Sequence, residues 1–155
     1  MSPTPLPVPL HTPLPIFVYG TLKAGQRNHD AHFPAGSIRS IVAAKVHDVG
    51  LFEDDRIPYA SPVRGRTLYG EVITLAQDSE EATFSRVAID RLEGFDPAVP
   101  EAGWYRRLAI TAVTLAAAAP VQCWIYVMDR PPQGTRPVSG GVWLSGTRSD
   151  APPER

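Results

Sequence analysis

The sequence predicts a single α+β domain, mostly strand, with one amphipathic helix packed on the sheet. Three observations predict it. Short apolar, β-branched runs recur between residues 16 and 128, in the pattern strands require. One segment, residues 78–95, carries the start, period and stop of a helix. The length, 155 residues, suits one core and can bury most of its apolar surface without a disulfide or metal.

The elements follow in order. Residues 1–15 carry proline at positions 3, 5, 7, 9, 13 and 15. Proline at alternate places removes backbone donors and favours extended chain. This stretch is expected to be a tail, laid on the surface or unordered, and not a recognition module. Ile16–Tyr19 is apolar throughout and predicts a strand covered on both faces. Residues 36–50 hold one long strand or two short ones. Residues 66–75 make another, in which Gly70 marks a bulge or a close backbone approach. Residues 105–115 and 121–128 predict an antiparallel pair across an alanine-rich link. The helix opens on Asp78 or Ser79 as N-cap, with acids in its first turn. Phe84, Ala88 and Leu92, with Val87 beside them, form its apolar stripe. Gly94 stops it.

Charge and composition exclude several classes. Fifteen basic and sixteen acidic residues nearly cancel, which argues against a protein that binds nucleic-acid backbone or an anionic membrane surface. No run is long enough to cross a bilayer. The N-terminus lacks the basic start and continuous apolar stretch of a secretory signal, so a cytoplasmic location is expected. Cys123 is the one cysteine. It stands in an apolar run and is expected to be a buried, inert thiol. His11, His29, His32 and His47 show no metal-ligand spacing, and no metal is expected. The phosphate-loop and G-x-S-x-G patterns are absent. Trp104, Trp124 and Trp143, with Tyr105 and Tyr126, read as core and rim packing. Arg106 and Arg107 read as a solvated strand edge.

Two places carry chemistry. Glu93 sits at the helix C-terminus, where the dipole disfavours a negative charge. Partial burial beside Leu92 and Phe95 would act in the same direction and suit it to acid–base work near neutral pH. The alternative, a solvated surface glutamate, stays open from helix logic alone. In "FVYGTLKAG" a buried strand ends at Gly20, which allows a tight turn whose N–H groups point at one anion. Thr21 adds a hydroxyl. Such a loop can hold a carboxylate or stabilise charge on a carbonyl oxygen.

These stretches together resemble the gamma-glutamylcyclotransferase-like (AIG2-like) family. "FVYGTLKAGQRNH" resembles its Tyr-Gly-Thr/Ser-Leu opening and "VHDVGLFEDDRIPYASP" its next block. "VRGRTLYGEV" is similar to a Val-Arg-Gly-x-Leu-Tyr strand, "IDRLEGF" to Leu-Asp-x-Leu-Glu-Gly, and "WYRRLAITAV" to Tyr-x-Arg. "RPVSGGVWLSG" resembles a C-terminal Ser-Gly-x-Trp element. The blocks run in order over residues 16–146, which leaves residues 1–15 and 147–155 as tails.

The resemblance implies a small mixed β-barrel flanked by helices, with a cavity at one end. It implies that Tyr19, Gly20, Thr21 and Leu22 hold the α-carboxylate of a small-molecule gamma-glutamyl substrate, with Glu93 as catalytic acid/base. The products would be 5-oxoproline and a free amine or amino acid, formed without a cofactor by a monomer or homodimer. The segment "FDPAVPEAGW" departs from the family's usual short link and bears on the leaving-group side. Two alternatives are a non-catalytic binder of a carboxylated small molecule in the same cavity, and an interaction module carried by the proline-rich tail.

Overall fold

The computed structural model describes residues 6–26, 28–54, 57–77 and 79–143. Its elements, in order, are β1 (Ile16–Val18), α1 (His29–His32), β2 (Ile38–Glu53), β3 (Pro58–Leu75), α2 (Glu80–Leu92), β4 (Arg106–Thr114), β5 (Pro120–Val127) and β6 (Arg136–Pro137). β1 through β5 close into a mixed barrel. β1 pairs with β3 antiparallel and with β5 parallel; β5 pairs with β4, β4 with β2, and β2 with β3, all antiparallel. β6 hangs on the end of β2. Closure hides the ladder edges that an open sheet would expose. Among the described residues, no helix is long and apolar enough to cross a membrane.

The strand pleat explains why several runs read as apolar on both faces. Phe17, Val46, Leu51, Leu68, Val72, Ile110 and Ile125 form the core inside the barrel. Alternate neighbours such as Ile16, Val18, Ile73 and Tyr126 point outward and pack with Ala82 and Ile89 of α2. One face fills the barrel and the other receives the helix. At Gly70 an added Cβ would lie 2.2 Å from the Val18 carbonyl oxygen, so the close backbone approach expected there is present.

β2 is one long strand broken in register at Asp48, whose φ is 65°. Asp48 Oδ1 accepts from the Gly65 N–H at 3.0 Å. The β2–β3 ribbon therefore has two parts, 38–47 against 67–75 and 49–53 against 58–62, and Val49, Leu51 and Ala60 of the second still pack in the barrel core. β3 starts at Pro58, earlier than the predicted 66, because prolines 58 and 62 and Gly65 interrupt the strand pattern. Pro58 takes the first strand position and Pro62 stands beside the bulge, two places where a sheet tolerates proline. His29 and His32 are the first and last residues of the short helix α1.

Ser79 caps α2, its Oγ accepting from the Ala82 N–H at 2.9 Å; the alternative cap, Asp78, lies outside the described residues. At the other end Phe95 N–H bonds Asp90 O at 2.8 Å and Gly94 N–H bonds Arg91 O at 3.1 Å, with Gly94 at φ 70°. This is a Schellman stop. The packed face differs from the predicted stripe. Phe84 and Val87 are exposed, and the buried face carries Ala82, Ser85, Ile89 and Asp90, nearly half a turn away. The contact that anchors it is ionic, so hydrophobic periodicity pointed to the wrong side.

The described part of the proline-rich segment, 6–15, lies on the surface and supplies acceptors. Trp124 donates its backbone N–H to Pro15 O and its ring N–H to Thr12 O, each at 2.8 Å. Residues 1–5 and the polar C-terminal tail, 147–155, lie outside the described residues.

Gly70→Ala is expected to destabilise the protein by about 2–4 kcal/mol, read from the urea midpoint, because backbone and not a yielding side chain meets the new methyl. Burial pushes the Cys123 thiol up to about 12. It should resist a thiol reagent at pH 8 in the folded protein and react in denaturant. The unfolded thiol ionises near 9.0 while the folded one keeps its proton. Stability should therefore fall as pH rises from there towards 12, a slope that Cys123→Ala removes.

Candidate active site

Where β1 and α2 end, the chain encloses a narrow pocket lined by Tyr19, Gly20, Thr21, Leu22 and Glu93. These are the five residues singled out in the sequence, and the fold brings all of them together. Pro58, Tyr105 and Tyr126 complete much of the wall. The open space between walls and mouth is ≈ 360 Å³, but the water-sized room inside is only ≈ 20 Å³. That is space for about one water.

The loop after β1 is held from several sides. The Tyr19 hydroxyl donates to Tyr126 O at 3.0 Å. Gly20 has no unusual φ; an added Cβ would stand 2.3 Å from Pro58 Cγ. Glycine is required there by the proline ring above it, not by the turn itself, which corrects the conformational reading made from sequence. Asn28 grips Thr21 twice: its Nδ2 donates to Thr21 Oγ1 at 2.8 Å, and its N–H to Thr21 O at 2.9 Å. The Thr21 hydroxyl thereby accepts while its own proton stays available to donate. His29 Nδ1 meets Leu22 O at 2.8 Å. Lys23 turns away to donate to Trp143 O at 3.1 Å. Burial pushes its ammonium below the usual lysine range, an effect that Glu71 opposes.

Glu93 is the C-cap of α2, and its N–H donates to Ile89 O at 3.0 Å. One carboxylate oxygen, Oε1, is shielded from solvent. Three residues earlier Asp90 anchors the helix in a polar cluster. Arg107 Nη1 reaches both Asp90 oxygens at 3.2 Å, and the Tyr126 hydroxyl donates to Asp90 Oδ1. Arg107 and Tyr126 are cross-strand partners on β4 and β5, so register places both under the helix. The guanidinium lies 4.6 Å from the Trp124 ring centroid and 5.0 Å from that of Phe95.

Burial raises the Asp90 carboxyl above the ordinary aspartate range, against the pull of Tyr126 and Arg107. Burial, then the Asp90 charge, holds the Tyr126 phenol well above its ordinary value, so it stays protonated and donates. Burial and the nearby Arg107 charge lower Arg86, which donates to Leu14 O at 2.8 Å.

Arg107 is 9% exposed, so the solvated-edge reading holds for Arg106 and fails for its neighbour. Strand alternation turned one outward and the other under α2. Tyr105 and Tyr126, read as packing, also line the pocket. Asn28 and Pro58 had no signal of their own, although both fall inside the blocks that resemble the family. Trp124 and Trp143 are core, whereas Trp104 stands exposed.

Residues 16–145 match the family model described as gamma-glutamyl cyclotransferase, AIG2-like. No curated protein sequence matches the chain. Among solved structures it is similar to an AIG2-like protein from Mus musculus, at 25% identity and TM-score 0.56, over 79% of this chain and 82% of that one. It is also similar to a gamma-glutamyl cyclotransferase, at 15% identity and TM-score 0.54, over 80% and 70%. A protein from Arabidopsis thaliana gives 18% identity and TM-score 0.54 over 79% and 74%. At those identities the last two likenesses show the fold.

Arg107→Ala should cost about 3–5 kcal/mol in the denaturant midpoint, because it leaves Asp90 buried and uncompensated. Arg107→Lys should recover little of this, since one ammonium cannot bond Asp90 and the Leu10 carbonyl from two nitrogens while keeping a planar face on the rings of Trp124 and Phe95.

Proposed function

The chain belongs to the gamma-glutamyl cyclotransferase, AIG2-like family, and from that premise we propose that it releases 5-oxoproline and a free amine or amino acid from a gamma-glutamyl amide. The observation that carries this reading is the meeting of Glu93 with the Tyr19–Leu22 stretch in one pocket.

A gamma-glutamyl amide contains its own nucleophile. The α-amine attacks the γ-carbonyl carbon, a five-membered ring closes, and the amide bond to the departing nitrogen breaks. Holding the chain folded for that attack supplies much of the acceleration, about 7–11 kcal/mol at best. In this reading the Glu93 carboxylate takes a proton from the α-ammonium and passes it to the leaving nitrogen. The two protons lost by the α-nitrogen equal the two that the departing amine gains on becoming an ammonium ion. The balance needs no water, metal or organic cofactor.

The loop supports the anion-binding half of the proposal. The carbonyls of Gly20 and Thr21 turn back to accept from Lys23 N–H and Asn28 N–H, and that of Leu22 faces His29. In a trans peptide the C=O and the next N–H point in opposite directions. The N–H groups of Thr21 and Leu22 thus leave on the side away from those partners, where they suit the substrate α-carboxylate or the oxyanion. With room for about one water inside, a glutamyl group enters only as the walls yield. Pro58, Tyr105 and Tyr126 are among the wall residues that come from outside the loop and helix.

The test is mass spectrometry of 5-oxoproline from a panel of gamma-glutamyl amides, with Glu93→Gln beside the wild type. The expected result is turnover by the wild type and a fall in kcat of about 10²–10⁴ in the variant, with substrate affinity kept. Affinity without turnover in both proteins would instead identify a carboxylate binder.

A further inference from the structure

A second, wider groove adjoins the pocket and shares Glu93 and Tyr105 with it; Ile57, Tyr59, Leu92 and Trp104 form its apolar walls. We propose that this groove receives the leaving amine, and that the preferred amine carries an aromatic or bulky apolar group. The inference rests on the cyclotransferase reading above and names the half of the substrate that reading leaves open.

Geometry assigns the groove its part. Ring closure keeps the α-amine, γ-carbonyl and α-carboxylate together in the narrow pocket. The departing nitrogen must lie within a hydrogen bond of Glu93 to receive its proton, so whatever it carries projects past Glu93. The space there is the groove, with water-sized room of ≈ 400 Å³ against ≈ 20 Å³ in the pocket. Its size suits a ring, and its walls suit an apolar one. Of its described lining residues only Arg91 and Glu93 carry formal charge.

Trp104 is the clearest sign. Its 76% exposure keeps a large apolar ring in water beside a reaction site, which the hydrophobic effect opposes until something covers it. The wall that carries it is built rather than frayed. Gly103 adopts φ 104°, and an added Cβ would stand 2.5 Å from Gly94 O. The 95–104 segment is thus pressed onto the C-terminal stop of α2. Within it Val99 N–H bonds Asp96 O at 3.0 Å and Ala102 N–H bonds Val99 O at 2.9 Å. Tyr105, next in sequence, is buried. This is the segment that the sequence reading set against the family's usual short link and assigned to the leaving-group side.

The experiment compares gamma-glutamyl-phenethylamide with gamma-glutamyl-methylamide as substrates. The wild-type kcat/KM ratio should favour the aromatic amide by about 10- to 100-fold, the value of covering one ring. Trp104→Ala should bring the ratio near one, and Trp104→Phe should restore part of it. Calorimetric binding of both amides to Glu93→Gln, with and without Trp104→Ala, runs in parallel. An aromatic preference in binding that Trp104→Ala abolishes upholds the groove, even if no 5-oxoproline forms and the reaction is overturned. Equal affinity for the two amides overturns the groove even if both are turned over. Binding of neither overturns both readings and turns Trp104 into a candidate protein-contact surface.

Discussion

The guanidinium of Arg107 is the constraint on which the rest of the structure depends. It grips Asp90 from α2, lies against the rings of Trp124 and Phe95, stands beside Tyr126 on the neighbouring strand and donates to Leu10 O. One buried cation therefore joins a helix, two strands, the turn after the helix and the proline-rich segment. Glu93 lies three residues beyond Asp90, less than one helical turn. Its position over the pocket is inherited from that ion pair.

A buried ion pair is a poor source of net stability, because desolvating both charges offsets most of their attraction. Its effect here is on orientation. α2 carries two apolar faces, one with Phe84 and Val87, the other with Ala82 and Ile89. Turning the first inward would carry Asp90 away and leave the guanidinium alone in the core. The pair thus selects the second face, although the first is richer in large side chains. A helix rotated by the half turn between these faces would present a different residue to the pocket, and Glu93 would face elsewhere.

In the proposed reaction the pocket and the groove divide the work on a gamma-glutamyl substrate by their construction. The pocket is narrow and over-determined: Pro58 fills the place a side chain at Gly20 would take, and Asn28 holds Thr21 from two atoms. Such a site can tolerate one shape. The groove is wide, exposed and apolar on most of its lining, walled by a segment outside the barrel. A fold can vary that wall without disturbing the barrel core, since the 95–104 segment meets the barrel side through Phe95 at its start and Tyr105 just after its end.

Local chemistry was legible in the sequence. The strand run Ile16–Tyr19, the β4–β5 pair, the Ser79 cap, the Gly94 stop and the tight approach at Gly70 each follow from a few neighbouring residues and their steric limits. The five site candidates were legible as well, from a helix-terminal carboxylate and a strand-ending turn set in blocks that resemble one family. What the tertiary structure decided depends on residues far apart in the chain. Arg106 and Arg107 are identical side by side, and only the pairing of β4 with β5, under α2, makes one a surface charge and the other the core's anchor. Gly20 needs Pro58, thirty-eight positions away, before its missing side chain has a reason. Tyr126 becomes a pocket wall because register sets it beside Arg107. Propensity and periodicity act within one element, whereas burial of a charge is settled by the partner that another element brings to it.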